Sequence, residues 1–97
     1  METMLEAVAR LQAAGYRLEF TALPGGRLRC GGCGEIIDAS SLTVEETVRF
    51  EGDSNPDDEA ILVALTMPCG CQGLYGAAFG PSTPPDDVEV LQALVAR

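Results

Sequence analysis

Residues 60–73 read Ala60-Ile61-Leu62-Val63-Ala64-Leu65-Thr66-Met67-Pro68-Cys69-Gly70-Cys71-Gln72-Gly73. The uninterrupted apolar run at its start predicts a strand buried in the sheet. Pro68 and Gly70 break the run, so the chain turns there. Residues 73–79, Gly-Leu-Tyr-Gly-Ala-Ala-Phe, read as the return strand, which leaves Cys69 and Cys71 at the tip of a hairpin. The small residues Gly76, Ala77 and Ala78 leave room on it for a close neighbour. Upstream, Cys30-Gly31-Gly32-Cys33-Gly34 separates two short strand candidates, residues 27–30 and 35–38. A second cysteine pair therefore stands at the tip of a second hairpin.

Two cysteines this close in sequence can place two thiolates on one metal ion, and two such pairs complete a tetrahedral shell of sulfur. Thirty-five residues lie between Cys33 and Cys69, so the fold has to bring the pairs together. Cys30, Cys33, Cys69 and Cys71 are accordingly the candidate ligands of one structural Zn²⁺ per chain. The glycines around them tolerate tight turns and let backbone amides point at sulfur. The second pair has one intervening residue where the first has two, a tighter bite that glycine permits. A rubredoxin-like iron site or a redox dithiol uses the same residues, as does a set of buried or disulfide-bonded cysteines without metal. A catalytic zinc is disfavoured, because it needs an open position and usually a histidine or carboxylate ligand, and the chain has no histidine.

The 97 residues, of which 46% are hydrophobic, fit one domain, 1–97, with a thin core that a structural metal would reinforce. Six basic residues, all arginine, face 15 carboxylates, for a formal charge of −9. That balance repels phosphate backbones and disfavours nucleic acid unless Arg27, Arg29 and Arg17 gather on one face. No stretch has the length and apolarity of a membrane span, and residues 1–6 show no secretory signal. The expected compartment is the cytoplasm, where clustered cysteines more often mean metal than disulfide.

Thr3-Met4-Leu5-Glu6 has the form of a capping box. Met4, Leu5, Val8, Leu11 and Gln12 then step around one face of a helix over residues 3–14, with Gly15 as its left-handed stop. Tyr16, Leu18, Phe20 and Ala22 alternate with polar residues as in a half-buried strand. Leu23-Pro24-Gly25-Gly26 turns the chain back. Residues 39–45 are open between loop and helical turn, and residues 46–51 read as a further strand. A last helix is expected after Thr83, with Pro84 in its first turn, Asp86 and Asp87 complementing its dipole, and Val88, Leu91, Leu94 and Val95 buried.

Asp53, Asn55, Asp57 and Glu59 alternate like the first half of a calcium loop, but Asp58 and Ala64 stand where that loop needs glycine and glutamate. A solvated acidic turn explains them. No serine, cysteine or lysine has a visible general base, and no glycine-rich phosphate loop is present.

Cys30-x-x-Cys33-Gly34 with a later cysteine pair resembles the zinc-ribbon superfamily over about residues 27–79. Residues 49–59, Arg-Phe-Glu-Gly-Asp-Ser-Asn-Pro-Asp-Asp-Glu, look like those of small bacterial ribbon proteins whose genome labels sometimes read phosphoribosylpyrophosphate synthetase. The ribbon resemblance implies Cys30, Cys33, Cys69 and Cys71 as zinc ligands, with the Cys-x-Cys pair as its departure from the pattern. The activity in the label is not carried over, since the chain is too short for it and lacks lysine, histidine and a phosphate-binding loop.

The expectation is an α+β domain: a small antiparallel sheet with a zinc ribbon built from two cysteine-tipped hairpins, flanked by N- and C-terminal helices that share its apolar face. Its expected role is a structural-zinc protein that engages a protein partner without catalysis. The alternatives are a small redox or electron-transfer protein and a nucleic-acid-binding ribbon.

Overall fold

The structure, a computed structural model, describes residues 3–50, 60–78 and 83–95. The acidic segment Asp53–Glu59 and Phe79 therefore lie outside the described residues, as does the side chain of Val95.

Thr3 caps the first helix, α1 (Met4–Ala13), as a full capping box: its Oγ1 accepts the Glu6 amide at 3.2 Å, and Glu6 Oε1 accepts the Thr3 amide at 3.0 Å. The buried positions of α1 are Ala7 and Leu11, with Met4 and Val8 beside them. Leu5, expected on this face, is 82% exposed, because the stripe at residues 4, 7, 8 and 11 turns it outward.

Among the described residues six strands follow: β1 (Leu18–Leu23), β2 (Arg27–Cys30), β3 (Ile36–Asp38), β4 (Thr43–Phe50), β5 (Ala60–Thr66) and β6 (Gln72–Ala78). A short 3₁₀ turn at Ala39–Ser41 precedes β4, and α2 (Pro85–Val95) closes the order. The strands form one sheet in the order β3-β2-β1-β6-β5-β4. The wholly antiparallel sheet expected from sequence is corrected here: β1 runs parallel to β6, with Leu18 opposite Gly73 and Glu19 opposite Leu74. The other pairs are antiparallel, so two three-stranded meanders meet at one parallel seam.

The expectation that both helices share a face is also corrected. Ile61, Val63 and Leu65 of β5 pack with Tyr75 and with Val90, Leu91 and Leu94 of α2. Leu62 and Ala64, pointing the other way, pack with Ala7 and Leu11 of α1. The helices thus cover opposite faces, and the continuous apolar run of β5 serves both cores. In α2 the helix begins at Pro85, not Pro84, and Val90 replaces the 37%-exposed Val88 in the buried stripe.

Polar contacts also seat the helices. Arg10 of α1 makes a two-pronged ion pair with Glu46 of β4, at 2.6 and 3.2 Å. On the other face the Tyr75 hydroxyl donates to the Asp87 carboxylate in the first turn of α2. Burial first, and then the bond to Asp87 and its charge, push the Tyr75 hydroxyl well above its usual range.

Candidate metal centre

The parallel seam explains how distant cysteines meet. Because β2 runs against β1, its last residue, Cys30, lies near the start of β1, opposite Phe20. Because β6 runs with β1, its first residues also lie at the start of β1. The turn after β2 and the turn before β6 therefore converge on Leu18 and Glu19. Two glycines permit the close approach. The Gly31 amide donates to the Glu19 carbonyl at 2.7 Å, and a Cβ on Gly31 would stand 2.5 Å from that oxygen. A Cβ on Gly73 would stand 2.5 Å from the Leu18 carbonyl oxygen.

Each cysteine turn is closed by backbone hydrogen bonds. In the first, Cys30 donates to the Glu35 carbonyl at 2.9 Å and Gly34 donates to the Cys30 carbonyl at 3.0 Å. In the second, Met67 donates to the Cys71 carbonyl at 2.8 Å and Gly70 to the Met67 carbonyl at 2.9 Å. The one-residue bite between Cys69 and Cys71 is thus made by an ordinary tight turn.

All four cysteines are free thiols, and they grade from inside to outside: Cys30 buried, Cys71 half-buried, Cys33 and Cys69 exposed. The sulfurs of Cys30, Cys33 and Cys71 all lie within 4.8 Å of one another. A second group, Cys33, Glu35 and Cys69, meets the same limit through the shared Cys33. The four predicted ligands are therefore close enough to hold a metal ion. Glu35 was missed by sequence reasoning, which sought the ligands of this centre only among the cysteines.

The electrostatics of the cluster differ from thiol to thiol. Burial pushes the Cys30 thiol up, yet backbone hydrogen bonds at Cys33 and Gly32 and the thiols of Cys33 and Cys71 together draw it below its ordinary value. The Gly32 amide donates to Cys30 Sγ at 3.4 Å. Cys71 is pushed up to about 12, first by its hydrogen bond to Cys69, then by burial and by the charge of Cys69, with Cys33 adding to both effects. Charge on one sulfur thus opposes ionisation of the next, and a cation between them would relieve that repulsion.

Elsewhere, Arg27 and Arg29 point to the sheet face opposite Leu28 and Cys30, in register with Asp38 and Ile36 of β3. Arg17 is exposed just before β1. A cavity of about 310 Å³ opens beside α1, where Gln12 and Glu19 supply the polar side chains among Met4, Val8, Leu62 and Leu74. Among the described residues no helix is long and apolar enough to cross a membrane.

Comparison with family models, curated proteins and solved structures returned no match.

Proposed function

We propose that Cys30, Cys33, Cys69 and Cys71 hold one structural Zn²⁺ in the manner of a zinc ribbon, and that the chain so fastened acts as a binding module for a protein partner. One observation carries the reading: thiols from opposite halves of the sheet, Cys30 and Cys33 on one side and Cys71 on the other, approach within 4.8 Å. Sulfur-only shells suit zinc or iron. An ion there would tie together two meanders whose strands pair with one another along the short β1–β6 seam.

The redox alternative draws less support. Thiol exchange needs a lowered thiol that is open to attack, whereas the thiol drawn down here, Cys30, is 1% exposed. Elemental analysis of protein prepared without chelator tests the metal: less than about half a zinc per chain removes the proposal. A visible absorption band with iron in place of zinc would favour electron transfer. For the interaction role, the metal-loaded chain should retain a partner that the stripped chain does not. Equal recovery by both would separate any binding from the metal.

A further inference from the structure

We propose that Cys33, Glu35 and Cys69 form a second, outer position for a divalent cation, sharing the Cys33 and Cys69 thiolates with the inner one. This rests on the reading of the cysteine cluster as a metal centre and extends its donor set from four groups to five. The Glu35 carboxylate and the two sulfurs lie within 4.8 Å of one another, and all three residues are exposed. The inner group differs, reaching down to the buried Cys30 and half-buried Cys71.

The local sequence treats Glu35 as a ligand. Cys33-Gly34-Glu35 has the same form as Cys69-Gly70-Cys71: a donor, a glycine, a donor. Both middle glycines are left-handed, with φ of 75° and 99°. A Cβ added at either would meet nothing within 4 Å, so backbone conformation and not crowding calls for glycine. Glu35 thus stands to Cys33 as Cys71 stands to Cys69, each pair bent by its glycine. The Glu35 carbonyl anchors the turn by accepting the Cys30 amide, while its carboxylate has no hydrogen bond or ion pair among the described residues.

Two thiolates and one carboxylate suit zinc or cadmium, and do not suit magnesium or calcium, which take oxygen. Three protein donors leave a side open to solvent, so the outer ion should exchange while the inner one stays.

Anaerobic titration of the reduced, metal-free chain with Cd²⁺ tests this. The expected result is about two equivalents per chain, the second removed by a mild chelator and the first only by a strong one. Glu35→Gln should lower uptake to about one equivalent and leave the tight step unchanged. A wild-type chain that takes a single equivalent overturns the outer position and leaves the inner centre standing. A Glu35→Gln chain that still takes both equivalents also overturns it. Absence of any uptake would overturn the metal centre itself, and the outer position with it.

Discussion

Cys30 and Tyr75 each place a polar atom inside an otherwise apolar core, and each has a partner that makes it tolerable. Cys30 Sγ receives the Gly32 amide and faces the sulfurs of Cys33 and Cys71. Serine there offers a shorter, harder oxygen that serves zinc poorly. Cys30→Ser should therefore abolish retention of the proposed ion through gel filtration, whereas Cys69→Ser, at the exposed rim, should leave a weakened site; equal metal content in both variants would contradict this order. Tyr75 is buried, and its hydroxyl donates to Asp87. Its folded-state value is raised above the ordinary 10.0, so its stabilising contribution is complete below pH 10 and is lost as pH rises towards the folded value. Tyr75→Phe should cost about 1–2 kcal/mol in urea denaturation near neutral pH, because a hydrogen bond to a half-buried carboxylate is removed. The variant's stability should also fall less steeply than wild type above pH 10. A parallel decline in both proteins would show that Tyr75 does not govern the alkaline limit.

Elements were legible wherever their signal was local. The capping box at Thr3 and Glu6, the alternation through Leu18, Phe20 and Ala22, and the apolar run of β5 all formed as the pattern required. Faces were less legible than elements. β5 is apolar on both sides, so its sequence does not say that one helix sits on each face. What holds elements against one another is unequal in strength. The Arg10–Glu46 pair leaves its side chains 44% and 40% exposed, so solvent screening limits it; Arg10→Ala should cost less than about 1 kcal/mol, measured by urea denaturation, with the cost shrinking further in high salt. The glycine contacts are stricter. Gly73→Ala would drive a Cβ against the Leu18 carbonyl at 2.5 Å, and backbone cannot give way as a flexible side chain can. It should cost about 1–3 kcal/mol and weaken metal retention in the same variant. Loss of stability with undiminished metal retention would mean that the seam and the centre are independent.

At the scale of the whole molecule the deciding feature is the parallel seam, and no local pattern announces it. The cysteine spacing says that two turns must meet, and two cysteine-tipped hairpins at one end of an antiparallel sheet would satisfy it. The structure achieves the meeting by laying β6 beside β1 in the same direction, a pairing between residues more than fifty positions apart, while Gly31 and Gly73 let their turns approach the Glu19 and Leu18 carbonyls. Glu35 escaped notice for a related reason: one glutamate among 15 carboxylates carries no signal until the turn places it beside sulfur. The seam is short, with Leu18–Gly73 and Glu19–Leu74 as its paired positions, whereas β5 pairs with β4 and β6 along its full length. An ion at the cysteine end would therefore stabilise the molecule unevenly. Strong chelation with confirmed metal loss should accelerate hydrogen exchange at the amides that close this end: Gly31 to Glu19, Cys30 to Glu35 and Met67 to Cys71. Amides of β5 between Ile61 and Val63, enclosed by neighbouring strands and by both cores, should keep their protection. If exchange rises uniformly, the two meanders form one cooperative unit that the metal stabilises as a whole. If it does not rise at the cysteine end, the thiols are held together by the sheet alone and the ion is not the fastener proposed.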